Sequence, residues 1–542
     1  MFTVSHAPRI LNWVVSPDSG HELHFYVGQG RWEAVSYPEL AERARQVAAA
    51  VHLRGIGSGA VVAIAQSTGP DMIASYCGSM LVGATVCVLP TVLPMQRQQS
   101  YDTQVGNIIR LARPSLVICD GDQFAPVTQV LAGTDGAVSF TDLTAGAPAV
   151  VPHGLSGVAE YPLLQFTSGS SGAQRGVLIT AAELDANHEG IRLATGIEDD
   201  EAFISWLPNH HDMGLIAMLL GALYRQYTAY FMTPQQFIHE PLQYLKAITE
   251  KKLVMTALPA FGLDYLSKRI TERQACELDL SSLRMIITGA ERIMPGILER
   301  FERKFGPHGL SPCALSPGYG SAEATLAVSI TPAGVPWRTA APAGYHGFSK
   351  VVGCGRPLPE VDVRIVDDQG EELPDGEVGE VVVTGPSVAT RYLAAGTMRE
   401  EALGSLRVGR LFTGDAGFLD HGEVFVIGRY GDGVKLLGRM VFAENVESEL
   451  VARGFAAGNV TVLLGHLEEP VAVFIFAAKY PERDLLAAEI GREMLGDARL
   501  YAIDLPGAQV NRTSSGKPRR RVMWKEFVDG DLGGAARVLS LP

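Results

Sequence analysis

The most informative stretch of this sequence is a loop of small residues between two apolar, β-rich runs, Gln165-Phe-Thr-Ser-Gly-Ser-Ser-Gly-Ala-Gln-Arg-Gly176. Small side chains let the backbone approach an anion closely, and consecutive N–H groups with nearby hydroxyls form an anion nest. The stretch therefore predicts a phosphate-binding loop. It is not a Walker loop, because no Lys-Ser/Thr pair follows its last glycine. A flexible Ser/Gly linker has the same composition and is the alternative interpretation.

On both sides of this loop, apolar strands alternate with helical patterns, first between Tyr37 and Asp120 and again between residues 202 and 291. Such alternation predicts parallel sheets with crossover helices on both faces. We therefore expect an α/β fold with two doubly wound sheets. The carboxyl ends of such strands are where α/β enzymes place their chemistry.

After Gly353 the pattern changes to short strands separated by turn signals, which predicts an antiparallel β subdomain over residues 353–428. Residues 429–542 mix helical and strand patterns and predict a small, mobile α+β C-terminal domain, whereas residues 1–428 form the large N-terminal region. The junction, Gly428-Arg-Tyr-Gly-Asp-Gly433, contains three glycines that permit backbone rotation.

Composition and charge limit the function classes. The 542 residues exceed the size of one hydrophobic core, and the formal net charge of −14 argues against binding to nucleic acid. The cluster Arg519-Arg520-Arg521 is interpreted as a local basic patch. The six widely spaced cysteines include no zinc-ligand pattern, and we expect them to be buried thiols. With neither a signal-peptide pattern nor an apolar run of membrane length, we expect a cytoplasmic protein without a membrane span.

Five ordered motifs give the sequence a resemblance to a known family. After the small-residue loop come Gly318-Tyr-Gly-Ser-Ala-Glu323, Phe412-Thr-Gly-Asp415, Gly428-Arg429 and Asn511-Arg-Thr-Ser-Ser-Gly-Lys517. Together they resemble the motifs of the adenylate-forming superfamily of acyl-CoA synthetases, luciferases and peptide-synthetase adenylation domains. The resemblance spans about residues 30 to 530 and implies activation of a carboxylic acid with ATP.

The resemblance also implies roles for individual residues. The ATP phosphates would be bound by Thr167, Ser168, Gly169, Ser170, Ser171, Gly172 and Arg175. The rest of the nucleotide site would comprise Gly289, Ala290, Glu291, Gly318, Tyr319, Gly320 and Ser321, with Asp415 and Arg429 at the ribose. Glu323 would hold Mg²⁺, which prefers carboxylate oxygen and water. Lys517 would bring positive charge to the reacting carboxylate and phosphate, and Asp432 would be the hinge. When each residue is considered alone, other roles are open. Glu323 could cap a helix, Asp415 could order a turn, and Lys517 could be a solvated surface charge.

The acid is indicated by Trp206-Leu-Pro-Asn-His-His-Asp-Met-Gly214, which is similar to an element of fatty acyl-AMP ligases. The resemblance implies that His211, Asp212, Met213 and Gly214 border the acyl pocket and that His211 has a catalytic role. A His–Asp pair that only stabilises a turn is the alternative. The apolar run that follows suits the wall of an alkyl pocket, although a core helix would look the same.

The acceptor and the activity leave alternatives open. Fatty acyl-AMP ligases generally pass a medium- or long-chain acyl group to the phosphopantetheine of an acyl carrier protein. The stretch between Ser329 and Val352 is shorter than the insertion typical of those enzymes. An acyl-CoA or aryl-CoA synthetase that uses free coenzyme A is therefore the first alternative. A catalytically silent homologue that binds nucleotide or acyl chains is the second.

Overall fold

The structure is a computed structural model. It describes residues 9–18, 20–91, 98–131, 136–148, 159–167, 174–343, 350–393, 405–407, 409–436, 439–455, 458–478, 482–512, 518–534 and 536–539. Within these ranges every helix is too short or too polar to cross a lipid bilayer.

The largest layer is a nine-stranded sheet whose central strands are parallel. In spatial order its strands are Arg356–Pro357, Ala327–Ile330, Leu315–Gly320, Met285–Thr288, Met255–Ala257, Ala202–Ser205, Thr228–Phe231, Glu22–Gly28 and Arg31–Ser36. The helices associated with it are Ala181–Thr195, Met213–Leu220, Gly221–Arg225, Pro234–His239, Pro241–Lys251, Ala260–Arg269, Glu272–Ala275 and Pro295–Phe305, with short 3-10 turns at Gly306–His308 and Ala322–Ala324. Each parallel strand delivers its carboxyl end to the same edge of the sheet.

A second, seven-stranded sheet is built on the same plan. In spatial order its strands are Arg391–Tyr392, Arg175–Ile179, Leu163–Thr167, Thr85–Val88, Val61–Ala65, Leu116–Cys119 and Ala137–Ser139. Its helices are Tyr37–Leu53, Pro70–Leu81, Gln98–Ala112, Gly121–Val130 and Phe140–Thr144, and Arg9–Leu11 and Asn12–Val15 precede them. Successive residues of Val61–Ala65 enter different apolar clusters, as the alternation of side chains across a strand requires. The predicted pair of wound α/β sheets is confirmed.

An antiparallel sheet follows in the chain. Its strands are Asp362–Val366, Gly379–Thr384, Arg410–Asp420 and Ser405–Arg407, with Glu423–Arg429 paired to Arg410–Asp420, and a small ribbon joins Thr339–Ala340 to Val351–Val352. The core beneath this sheet includes Ala324 and Val328 as well as its own valines. Its strands therefore pack directly against the segment that carries Glu323.

The chain after Arg429 forms a smaller α+β layer. It contains a turn at Tyr430–Asp432, the ribbon Gly433–Leu436 with Arg439–Phe442, and a sheet of Val460–His466, Pro470–Phe476, Arg499–Asp504 and Arg537–Val538. Its helices are Ala443–Ala452, Arg483–Leu495 and Arg520–Asp529, with a 3-10 turn at Gly507–Gln509. Val462 and Leu463 lie in different apolar clusters, so both faces of this sheet are covered.

Candidate active site

A cavity of about 1480 Å³ lies at the carboxyl ends of strands from both large sheets. Every described residue that the sequence analysis assigned to the site borders it: Thr167, Arg175, His211, Asp212, Met213, Gly214, Gly289, Ala290, Glu291, Gly318, Tyr319, Gly320, Ser321, Glu323, Asp415, Arg429 and Asp432. These residues come from segments as far apart in sequence as 167 and 432, so the fold brings them together.

The remaining predicted residues lie outside the described ranges. They are Ser168, Gly169, Ser170, Ser171, Gly172 and Lys517. Both described neighbours of the Lys517 segment, Arg512 and Pro518, border the cavity and form a β-bridge with each other. The roles of the six residues therefore stay predictions.

Asp415 is the centre of a buried polar group. It lies opposite Arg429 on the neighbouring strand, and its Oδ1 is 2.6 Å from the Nε of Arg429. The hydroxyl of Tyr319 donates to its Oδ2 over 2.6 Å. The negative charge of Asp415 raises the pKa of Arg429, and burial, followed by that same charge, raises the pKa of Tyr319. The carboxylate is thus held in one orientation, and each oxygen retains a further lone pair that can accept a hydrogen bond from a ligand.

Glu323 lies in the 3-10 turn Ala322–Ala324, and a residue that the sequence analysis missed contacts it. The hydroxyl of Tyr392 donates to Glu323 Oε1 over 3.2 Å. The guanidinium of Arg175 lies 5.5 Å from the centre of the Tyr392 ring, within the range of a cation–π contact. Tyr392 reaches this place because its strand pairs with Arg175–Ile179. No local sequence signal indicates that pairing.

Two residues, one lining the cavity and one close to Glu323 in sequence, have a positive φ that their side chains disfavour. Thr325 has a φ of 67° and Ala290 a φ of 66°. A positive φ is a genuine outlier for a β-branched residue, and such strain is concentrated at functional sites. The hydroxyl of Thr325 donates to the carbonyl of Ser387 over 2.7 Å, which secures the turn that presents Glu323.

The carboxylate of Glu323 can supply one ligand to a magnesium ion. Among the described residues, no three His, Cys, Asp or Glu side chains are grouped closely enough to hold a metal ion. A single carboxylate is sufficient for Mg²⁺ when the phosphates of a nucleotide and water supply the other oxygens. Glu323 therefore fits Mg²⁺ bound together with ATP.

The histidine loop is tied to the strand that precedes the predicted phosphate loop. The side-chain amide of Gln165 donates to the carbonyl of His210 over 2.9 Å. The rings of His210 and His211 lie 4.4 Å apart. Burial and the neighbouring His211 lower the pKa of His210 well below its usual value. His210, which the sequence analysis quoted without assigning a role, is therefore neutral at physiological pH and borders the cavity.

Asp212 begins the helical segment Met213–Leu220. Its Oδ1 accepts a hydrogen bond of 2.8 Å from the N–H of the next residue, Met213. The segment is a π-helix, a conformation that is rare and frequently found at functional sites. A Cβ on Gly214 would lie 2.4 Å from the carbonyl oxygen of Pro208, so only glycine allows this close approach. Asp212 therefore makes a local backbone contact and also borders the cavity, so both interpretations of the His211–Asp212 pair stay predictions.

Apolar side chains form the wall beyond this loop. They include Ile191, Trp206, Met213, Ala217, Ile238, Phe261, Ile287 and Ile297. Phe261 is 52% exposed, which is unusual for a phenylalanine, and its N–H donates to Glu291 Oε1 over 3.0 Å. That bond joins the apolar wall to the predicted adenine loop.

Asp432 ends the turn Tyr430–Asp432, and its side chain is only 13% exposed. Its carboxylate lies 3.7 Å from Arg520 and 3.9 Å from Arg521. The interpretation of Arg519–Arg521 as a local basic patch is therefore wrong for Arg520, whose side chain is 10% exposed and enclosed by acids. Those acids are distant in sequence, so the run of arginines alone gave no sign of them.

Comparisons with known proteins place the chain among nucleotide-dependent ligases. The family model described as AMP-binding enzyme matches residues 16–393. A Caulobacter vibrioides protein, provisionally named an acyl-CoA synthetase, is 29% identical, over 97% of this chain and 96% of its own. The long-chain-fatty-acid–AMP ligase FadD26 of Mycobacterium marinum is also 29% identical, over 77% of this chain and 76% of its own.

A solved structure from a study of fatty acyl-adenylate ligases of E. coli and L. pneumophila shares the fold. Its TM-score is 0.87 at 24% identity, with 98% of this chain and 99% of the other covered. The McyG A-PCP structure complexed with phenylalanyl-adenylate gives a TM-score of 0.80 at 20% identity, over 96% of this chain and 82% of the other. Because the family model spans more than half of the residues, the chain belongs to the AMP-binding enzyme family, within the adenylate-forming superfamily that its motifs resemble.

Proposed function

We propose that this enzyme activates a medium- or long-chain fatty acid with ATP, forming an acyl-adenylate and pyrophosphate. It then transfers the acyl group to the phosphopantetheine thiol of an acyl carrier protein. The observation that carries the proposal is the single cavity in which the nucleotide-site residues and an apolar wall meet.

The first step needs a carboxylate to attack the α-phosphorus of ATP while pyrophosphate leaves, so negative charge must be offset around the phosphates. Arg175 supplies a fixed positive charge at the end of the predicted phosphate loop, where the Tyr392 ring holds it. Lys517 supplies a second one from the C-terminal side. Mg²⁺ held by Glu323 neutralises phosphate charge when it is bound.

The ribose is oriented by Asp415. Its Oδ2 accepts from Tyr319 and its Oδ1 pairs with Arg429, so the orientation of the carboxylate is fixed. A fixed, charged acceptor can bind both hydroxyls of a ribose. The adenine is placed against the loop of Gly289, Ala290 and Glu291, which the bond from Phe261 holds beside the acyl wall.

A fatty acid is favoured over an amino acid by the histidine loop. Recognition of an amino acid requires a carboxylate at the substrate ammonium. Asp212 instead accepts from the N–H of Met213 at the start of the helical segment. The side chains of Trp206, Met213 and Ala217 line the cavity and suit an alkyl chain. His211 borders the cavity that also holds the nucleotide-site residues and the apolar wall, and we assign it the role of orienting the carboxylate of the fatty acid.

Transfer to coenzyme A is the second candidate. The Caulobacter relative carries the name of an acyl-CoA synthetase, whereas FadD26 is named an AMP ligase. The enzyme is to be incubated with ATP, Mg²⁺ and a series of fatty acids, with either coenzyme A or a phosphopantetheinylated carrier protein. Accumulation of the acyl-carrier thioester supports the proposal, and accumulation of acyl-CoA alone favours the second candidate. A failure to exchange labelled pyrophosphate into ATP with every acid would reject both and favour a silent homologue.

A further inference from the structure

The helix Arg520–Asp529 begins in a way that local physics disfavours. Arg519 is its N-cap residue without a side-chain capping bond, and Arg520 and Arg521 occupy its first turn. Positive charge at a helix N-terminus opposes the helix dipole, at a cost of about 0.3–1 kcal/mol for each charge. A local rule broken in this way needs compensation from the tertiary structure, and such places are often functional.

Arg520 receives that compensation through three contacts with two elements. Its Nη1 donates to Glu444 over 2.7 Å, its Nη2 contacts Glu447 at 2.9 Å, and its Nε donates to the carbonyl of Val462 over 3.2 Å. All three guanidinium nitrogens are therefore used. Arg520 fixes the start of its helix to the helix Ala443–Ala452 and to the strand Val460–His466.

Arg520 and Arg521 also contact the turn Tyr430–Asp432, which contains the predicted hinge residue. Asp432 Oδ2 lies 3.7 Å from Arg520 Nη1, and its Oδ1 lies 3.9 Å from Arg521 Nε. Arg521 also packs on the backbone of Gly431, where a Cβ would come within 1.4 Å of its Nη2. The glycine is thus needed at this position for the guanidinium to lie against the turn.

The charges around the turn Tyr430–Asp432 have opposing effects on the pKa of Asp432. Burial, and next the carboxylate of Glu444, raise the pKa of Asp432, whereas Arg520, Arg521 and Arg429 lower it. Among the described residues, Glu444 Oε2 is buried and has no hydrogen-bond partner. Two carboxylates are therefore enclosed together, and the arginines offset the cost of keeping them there.

In the orientation that these contacts accompany, part of the C-terminal region borders the cavity. Arg512 and Pro518, on either side of the Lys517 segment, both border it. On the large-region side, Arg292 donates to the carbonyl of Ile427 over 3.0 Å, and its charge faces Glu444. This is the orientation that adenylation requires if Lys517 acts as proposed above.

We propose that Arg520 and Arg521 clamp the turn Tyr430–Asp432 and act as positioning residues that select the adenylation orientation. In this orientation both guanidinium groups face the carboxylate of Asp432, and the proposal is that rotation about the Asp432 backbone separates them. The clamp is therefore made in one orientation and lost in the other. This inference rests on the proposed function, because it assigns the two orientations to the two half-reactions.

The test replaces Arg521, since loss of Arg520 would leave two buried acids without their partner. Arg521→Ala is compared with Arg521→Lys and with the control Arg453→Ala. Arg453 is a matched residue, because its side chain is 34% exposed against 33% for Arg521, and its partners Glu449 and Glu493 lie away from the turn. Adenylation is measured by dodecanoate-dependent exchange of pyrophosphate into ATP. Transfer is measured from supplied dodecanoyl-adenylate to carrier protein and to coenzyme A.

We expect Arg521→Ala to slow adenylation about fivefold, the upper range for a partly exposed ion pair, while transfer changes less than about twofold. Arg521→Lys should recover most of the loss. Trypsin cleavage after Lys435, whose side chain is 63% exposed, should accelerate in Arg521→Ala and not in Arg453→Ala. Parallel losses in both half-reactions, or equal behaviour of Arg521→Ala and the control, would overturn the clamp. If the wild-type enzyme activates no fatty acid, the proposed function fails, and the cleavage rates alone decide whether the clamp exists.

Discussion

Replacement of Asp415 by alanine is the sharpest test of the nucleotide site. The side chain is 10% exposed, and both oxygens are engaged, by Tyr319 and by Arg429 at 2.6 Å each. The substitution removes the acceptor proposed for the ribose and takes one partner each from Tyr319 and Arg429. We expect weaker binding of ATP and little change in the binding of the fatty acid.

The magnitude follows from the contacts. A hydrogen bond to a charged group contributes about 1.5–3 kcal/mol, which corresponds to a loss of ATP affinity of about 12- to 150-fold. Arg429 loses its partner, and because its side chain is 39% exposed, water screens part of the resulting cost in stability. Asp415→Asn keeps an acceptor for Tyr319 and should fall between alanine and the wild type.

The assay is calorimetric titration with a non-hydrolysable ATP analogue, together with the KM for dodecanoate. The control is Asp420→Ala on the same strand, since Asp420 also pairs with an arginine, Arg338 at 2.6 Å, but does not border the cavity. An ATP affinity within about twofold of that of the control would remove Asp415 from the ribose site.

Four further predictions concern other parts of the molecule. Lys517→Ala should slow adenylation by about 10²–10³ while transfer from a supplied adenylate persists, and equal losses in both steps would make the lysine structural. Asp432→Pro fixes φ near about −65° and should abolish transfer selectively, whereas normal rates of both steps would place the hinge elsewhere. Tyr392→Phe removes the bond to Glu323 and should raise the Mg²⁺ concentration for half-maximal exchange by about 2- to 12-fold, and an unchanged requirement would separate Tyr392 from the metal site. Burial lowers the pKa of His188 to about 4, so its contribution to stability is complete above about pH 6.5 and is lost as pH falls towards 4. This loss of about 3 kcal/mol in the free energy of unfolding should disappear in His188→Gln, and an unchanged pH dependence in urea titrations would contradict it.

The fold was predictable because periodicity is a local property of the sequence. The strand and helix patterns between Tyr37 and Asp120 correspond to the seven-stranded sheet, and the turn signals after Gly353 correspond to the antiparallel sheet. The site motifs were predictable for a related reason, since glycines, hydroxyls and carboxylates at fixed spacing carry their chemistry with them.

The contacts that the sequence did not indicate are those between segments that are distant in the chain. Tyr392 stands in an unremarkable run and becomes a neighbour of Glu323 only through the sheet pairing with Arg175–Ile179. The sequence assigns Arg520 to a local basic patch because its partners, Glu444 and Glu447, are more than 70 positions away. Contacts of this kind follow from topology, and no local pattern encodes them.

The return of the chain to the seven-stranded sheet at Arg391–Tyr392 limits how the protein can be divided for engineering. Segments 175–179 and 391–392 are neighbours in space, although most of the nine-stranded sheet lies between them in sequence. A fragment that stops before Arg391 would leave the edge of Arg175–Ile179 bare, with open N–H and C=O groups that invite another chain to add a strand. Split reporters or two-part expression systems built from this scaffold should therefore be divided after Arg429. Among the described residues, every strand of the two large sheets lies before that point.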